Sequence, residues 1–195
     1  VRSVLFAPLP FARPDRLVVV WHGYPPNQPR AAVSAPGYSD LRDARHIFAD
    51  VAAMRLNSQN LTGDGDPERV VVARVSQSFQ PMLGLRLAAG RWFLPEEDAP
   101  DRRPVVVLSD GLWRRRFGGD PQAVGQTMRL NERPHEIVGI MSETGAFPRQ
   151  AEAWVPVAFT QAERVDRSSE YLDVIGRVRD GVDVACWANV VGGTW

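Results

Sequence analysis

Apolar runs in this sequence stop at strand length, as at residues 17–21 and 105–108, and glycine or proline soon interrupts each neighbourhood. A membrane helix needs about 20 consecutive apolar residues, and no run approaches that. Sixteen glycines and sixteen prolines make turns frequent and keep helices short. The chain is therefore built from many brief elements. Its 195 residues, 44% of them hydrophobic, suffice for one large domain or two small lobes. The first residues lack the basic and then apolar stretch of a signal peptide. Any membrane-spanning part would lie outside this segment.

Charge narrows the function classes. The 23 basic and 23 acidic groups cancel, whereas a protein that grips nucleic acid or an anionic membrane carries a basic excess. A nucleic-acid partner is not expected. Cys186 is the only cysteine, which excludes an internal disulfide and a cysteine-based zinc cage.

Local pattern places the elements. Pro8, Pro10 and Pro14 make the opening stiff and extended. Residues 17–21 read as a fully buried strand. Ser34 is the N-cap of a short helix with Pro36 in its first turn; Tyr38, Leu41 and Ala44 form its inner face. Strands follow at 48–61 and 69–75, separated by turn residues at 63–67. Ser76 is expected to cap a helix that Gly84 ends. Beyond residue 85 the units shorten. Residues 105–108 form a strand, Ser109 caps a helix through Phe117, and Gly118 and Gly119 stop it. Hairpin strands are expected at 128–130 and 137–140, and another strand at 153–157. Leu172, Val174, Gly176 and Val178 alternate with Asp173, Arg177 and Arg179, which predicts a half-buried strand whose pattern Ile175 breaks. The class is α+β in two lobes, a mixed α/β lobe with a smaller β-rich lobe inserted.

Chemistry is harder to find. The histidines are His22, His46 and His135. His135-Glu136 begins like a zincin motif, but Gly139 stands where the second ligand belongs. Asp64, Asp66 and Glu68 resemble the start of a calcium loop, yet the glycine and distal glutamate fall at the wrong offsets and Pro67 interrupts. Glu96-Glu97-Asp98 reads as a helix N-terminus or an exposed loop. Neither a nucleophile elbow nor a phosphate-binding glycine loop is present. On a helical wheel Leu112, Trp113 and Phe117 share the inner arc, Arg114 and Arg115 face solvent, and Arg116 sits on the border. These residues describe a non-catalytic body with no catalytic, cofactor or metal site.

An ordered set of segments resembles the MacB-like periplasmic core domain of ABC-transporter permeases, in the MacB/FtsX-like family. The match opens with Pro8-Leu9-Pro10-Phe11 and Pro14-Asp15-Arg16-Leu17-Val18. It continues through 34–41, 48–53, Asn60-Leu61-Thr62-Gly63 and Pro67-Glu68-Arg69-Val70. Val75-Ser76, Phe79, Leu83-Gly84 and Gly90-Arg91-Trp92-Phe93 come next. The most specific block holds Val106-Val107-Leu108-Ser109, Trp113, Phe117-Gly118-Gly119-Asp120-Pro121 and Val124-Gly125. Leu130-Asn131, 137–140, Trp154-Val155-Pro156 and 178–182 extend it. The residues that carry the resemblance are fold-keeping ones: Gly84, Ser109, Trp113, Phe117, Gly118 and Trp154. Ser109 caps amides, Trp113 and Phe117 fill a lobe core at i, i+4 spacing, and Gly118 permits a left-handed exit.

The resemblance implies a division into a membrane-proximal lobe, residues 1–84 and 164–195, and an inserted β-rich lobe, residues 85–163. The first lobe is expected to be incomplete, because 184–195 lack the family's amphipathic helix. It implies an extracytoplasmic, periplasmic location at the cytoplasmic membrane, and membrane helices that this segment does not contain. Its implied partners are those helices, a cytoplasmic ABC ATPase and a periplasmic adaptor or substrate protein. The implied role is non-catalytic coupling of ATPase-driven motion to the outside. The alternatives are a free-standing extracytoplasmic module that binds a peptide or lipid in a cleft, and a hydrolase with a scattered site.

Overall fold

The computed structural model describes residues 11–24, 28–63 and 65–183. The strands are β1 (Leu17–Val20), β2 (His22–Tyr24), β3 (Gln28–Ala31), β4 (Val33–Ser34), β5 (Phe48–Thr62) and β6 (Glu68–Val75). They continue with β7 (Leu87–Gly90), β8 (Val105–Leu108), β9 (Thr127–Leu130), β10 (Arg133–Met141), β11 (Ala153–Pro156) and β12 (Glu170–Val178). The helices are short: α1 (Ala35–Asp43), α2 (Phe79–Leu83), α3 (Asp110–Phe117) and α4 (Gln161–Val165). The class is α+β, as the sequence pattern predicts. Among the described residues no helix is long and apolar enough to cross a membrane.

One ten-stranded sheet runs in the order β1-β12-β5-β6-β11-β8-β10-β7, with β4 added beside β12 and β9 beside β10 and β5. The 15-residue β5 is its spine. From Phe48 to Met54 it pairs with β12, and from Met54 to Leu61 with β6. At its far end Leu61 and Thr62 pair with Leu130 and Arg129 of β9, which is itself paired with β10. That last contact closes β5, β6, β11, β8, β10 and β9 into a small barrel. The β9–β10 turn consists of Asn131 and Glu132, both at positive φ, as a two-residue hairpin requires. Asn131 also completes the closure: its N–H donates to Asn60 O and its Oδ1 accepts from Asn60 N, both at 2.8 Å.

Side-chain alternation divides the core by face. Val106, Leu108, Val70, Val72, Ile137, Leu130, Ala153 and Val155 fill the barrel. Their neighbours Val105, Val107, Ala73, Val75, Val138 and Trp154 point to the opposite face, where α2 and residues 85–93 pack. A third cluster, under α1, takes Val51, Ala53, Leu172, Val174 and Val178. β12 is buried on both faces, because Val174 and Val178 pack into the α1 cluster and Ile175 into the α2 cluster. The predicted half-buried pattern is thus corrected: Ile175 joins the α2 face, and Arg177 is buried too. Gly176 leaves room for Phe48, whose ring would stand 2.6 Å from an added Cβ.

The sheet crosses both expected lobe boundaries. β5 and β6, from residues 1–84, supply barrel strands alongside β8 to β11. The boundary at 163/164 falls within α4. The expected tail at 184–195, with Cys186, lies outside the described residues, as do Pro8, Pro10 and Asp64.

Caps follow the sequence with one exception. Ser34 Oγ accepts from Gly37 N at 3.2 Å and opens α1. Ser76 was expected to cap α2 but does not. Its Oγ accepts from Ala53 N at 3.1 Å, and Ser78 Oγ donates to Val51 O at 2.8 Å. Where β6 turns away, these hydroxyls take over the ladder along β5, so buried backbone groups stay satisfied.

In α3, Leu112 is fully buried in the barrel, while Trp113 and Phe117 pack at the margin of that core. Replacing Leu112 by Ala should cost about 2–5 kcal/mol. Trp113→Ala, at a half-buried site, should cost less. Urea denaturation of both variants checks the order; a larger loss for Trp113 would contradict the barrel assignment.

Candidate functional site

Two regions of the fold concentrate polar contacts. The first is the barrel's open mouth. β8 and β11 pair at only two positions, Ala153↔Leu108 and Trp154↔Val107. Beyond them lies a cavity of about 450 Å³, walled by residues 99–104 and by the β9–β10 hairpin. Arg74, inside it, donates to Val157 O and pairs with Glu163 at 3.5 Å. Arg55 stands directly across from Arg74 on β5. Like charges so placed repel, and Arg55 instead lies over the Tyr171 ring at 4.8 Å. Tyr171 donates its hydroxyl to Glu163 at 2.9 Å.

Glu163 is held by a capping box at the start of α4, where it accepts from Thr160 N and Thr160 Oγ1, both at 2.9 Å. Burial pushes its carboxyl up, but hydrogen bonds from Thr160 and Tyr171 and the charge of Arg74 outweigh it, leaving Glu163 below the ordinary range. Burial and then the bond to Glu163 push the Tyr171 phenol up to about 12. The network holds these groups in fixed charge states, which suits positioning and binding. His135, at the rim, is pushed down by burial while its Nδ1 lies 2.8 Å from Arg133 O.

The second region is the juncture of the terminal segments. β1 runs antiparallel to β12, with Leu17 opposite Arg177. Arg13 pairs with Asp180 at 3.3 Å, and Arg16 donates to Val182 O at 3.1 Å. Arg177 is buried beneath them. It donates to Arg13 O at 3.0 Å, to Ala12 O and to Met82 O at 2.6 Å. The sequence pattern put Arg177 on a polar face; a third acceptor from α2 could be seen only in three dimensions.

These geometries sit within a known kind of domain. Residues 3–189 match the family model described as the MacB-like periplasmic core domain. The chain belongs to this family. It is thus the periplasmic core domain of a MacB-like ABC-transporter permease, on the extracytoplasmic side. Among curated proteins it is 30% identical, over 83% of its length, to the macrolide export ATP-binding/permease protein MacB of Chromobacterium violaceum. It is 24% identical over 81% of its length to the protein of that name from Shigella dysenteriae. It spans about a quarter of the length of the Chromobacterium relative (24%). In fold it resembles a domain of a putative permease protein from Porphyromonas gingivalis, with TM-score 0.71 and 20% identity, covering 90% of this chain and 81% of that one. The periplasmic region of MacB from Actinobacillus actinomycetemcomitans gives TM-score 0.66 at 17% identity, covering 87% and 77%.

The MacB-like motif residues serve as joints. Ser109 Oγ accepts from Leu112 N at 3.1 Å, and Gly118 leaves α3 in the left-handed region at φ 61. Trp113 donates Nε1–H to Asp120 O, and Phe117 flanks the same core. Trp154, with no exposed surface, donates to Phe147 O at 2.9 Å. Gly84 ends α2 at φ 72, and a Cβ there would approach Ala12 Cβ to 3.1 Å. Arg115 and Arg116, exposed and at the border as the helical wheel predicts, also anchor α3. Arg115, although half exposed, ties α3 to Glu68 and Glu152 at 3.2 and 2.7 Å. Arg116 donates to Asp66 O at 2.7 Å. His22 contacts Glu170 at 2.8 Å, and His46 is exposed before β5. Glu97 pairs with Arg91 through both oxygens, at 2.9 and 2.7 Å.

Opposite pH signatures follow for two carboxylates. Asp98 is raised by burial, despite hydrogen bonds from Ala158 and Gln77 N–H groups. Its charged form therefore costs stability at neutral pH, and this cost disappears as pH falls through its folded pKa. Glu163 is lowered, so its contribution is present above the unfolded value and lost as pH falls through the folded one. At pH 7, Asp98→Asn should raise Tm and Glu163→Gln should lower it, with both differences shrinking in acid. Melting curves from pH 3 to 7 check this; shifts of the same sign would contradict the assigned environments.

Proposed function

We propose that this domain is the non-catalytic coupling element of an ABC-transporter permease, carrying motion produced by a cytoplasmic ATPase to an external substrate or adaptor protein. The observation that carries the reading is the juncture. Residues 11–16 and 178–182 are bound to each other at one end of a sheet whose spine, β5, runs on into the barrel. In the family the neighbouring permease segments are membrane helices, so their displacement enters at this juncture. A continuous hydrogen-bonded sheet in a close-packed core transmits displacement with little loss. The barrel, with its polar mouth, is the part offered to the outside. Chemistry belongs to the ATPase, and this domain supplies stiffness and contacts.

Two outcomes are expected. The 195-residue chain should neither bind nor hydrolyse ATP, since the sequence has no phosphate-cradling glycine loop; calorimetry showing micromolar binding, or turnover above background, would contradict this. In a reconstituted permease with its ATPase, replacing residues 17–178 by a short flexible linker should leave basal ATP hydrolysis in place and abolish export. Export at the original rate would overturn the coupling role.

A further inference from the structure

We propose that Arg177 is the positioning residue of this coupling: a buried latch that makes the entering segment at residues 11–13 move with β12 and α2. The inference rests on the coupling reading above and adds the residue through which motion enters. Arginine is almost never fully buried unless its charge is matched. Arg177 is only 8% exposed, and among the described residues no carboxylate lies within ion-pair distance of it. Asp50 stands directly opposite it on β5, and the charges of Asp15 and Asp50 favour its guanidinium without forming an ion pair. Burial, ahead of any neighbouring charge, pulls the Arg177 pKa down.

Its planar fork is instead spent on backbone carbonyls. Ala12 O and Arg13 O belong to the entering segment, and Met82 O lies near the C-terminal end of α2. The carbonyls at a helix C-terminus lack partners within the helix and carry partial negative charge, so α2 offers a natural acceptor. With five donors in a rigid fork, arginine can hold three carbonyls from two segments at once. Around this hub the entering segment makes further contacts. Ala12 N donates to Leu83 O at 3.1 Å, and the Phe11 ring meets Phe147 edge-on with centroids 4.9 Å apart. Phe147 O in turn accepts from Trp154 on β11. A pull on residues 11–13 therefore reaches α2 and β11 directly, beside β12, whereas the β1–β12 ladder alone would deliver it only along the sheet.

The test uses Arg177→Met, which keeps length and burial but removes every donor, beside Arg177→Lys, which restores some. In hydrogen exchange on the 195-residue chain, Arg177→Met should speed exchange at Ala12 by about tenfold or more. The centres of β5 and β6 should be unchanged, and Arg177→Lys should lie between. In a reconstituted permease assembled to wild-type level, Arg177→Met should retain ATP hydrolysis and lose most of its transport per ATP. Faster exchange throughout β12, β5 and β6 would make Arg177 a mere fold-keeper and overturn the latch. Unchanged transport per ATP, with Ala12 opened, would overturn it equally. The linker replacement tests the coupling reading separately, so failure of the latch leaves that result standing.

Discussion

The fold depends on one strand serving two partners in succession. At Met54, β5 is opposite Asp173 of β12 on one side and Val75 of β6 on the other. Before that point it belongs to the terminal sheet, and after it to the barrel. Because side chains alternate along a strand, a slip of one residue would exchange the faces of both regions at once. Val51 and Ala53 would leave the α1 cluster, and Leu61 would leave the barrel. One register thus specifies two cores.

Such a strand creates polar debts wherever a partner departs, and polar side chains settle them. Ser76 and Ser78 take over where β6 bends away from β5. Asn131 does so at the barrel seam, and Glu152 beside β6, where its Oε2 accepts from Val71 N at 3.1 Å. Arg177 does it for the entering segment. Leaving any of these groups unpaired in a buried site would cost more than the hydrogen bond itself contributes. This accounts for buried serine and arginine in an otherwise apolar core.

Much of this was legible in the sequence, for local reasons. The valine-rich run at 105–108, the caps at Ser34 and Ser109 and the left-handed exits at Gly84 and Gly118 each depend on near neighbours. The ordered motifs identified the family. What escaped was set by distant partners. Trp113 is larger than Leu112, and a helical wheel puts both inward, but only the barrel's curvature decides that Leu112 enters its core. Ser76 looked like a cap because nothing local shows that Ala53 N awaits it. Arg177 looked solvated because alternation describes a strand with one wet face, and β12 has none. The mouth of the barrel, with Arg74 and Glu163 far apart in sequence, carried no motif at all.

The proposed coupling requires the terminal sheet and the barrel, both paired with β5, to move as one body. Native-state hydrogen exchange across a denaturant series measures this directly, amide by amide. The amides of Val174 in β12, Val72 in β6, Val107 in β8 and Ile140 in β10 should converge on one opening free energy and one denaturant dependence. Two separate levels, with β8 and β10 opening independently of β12, would contradict a single transmitting body and leave two lobes joined by a strand.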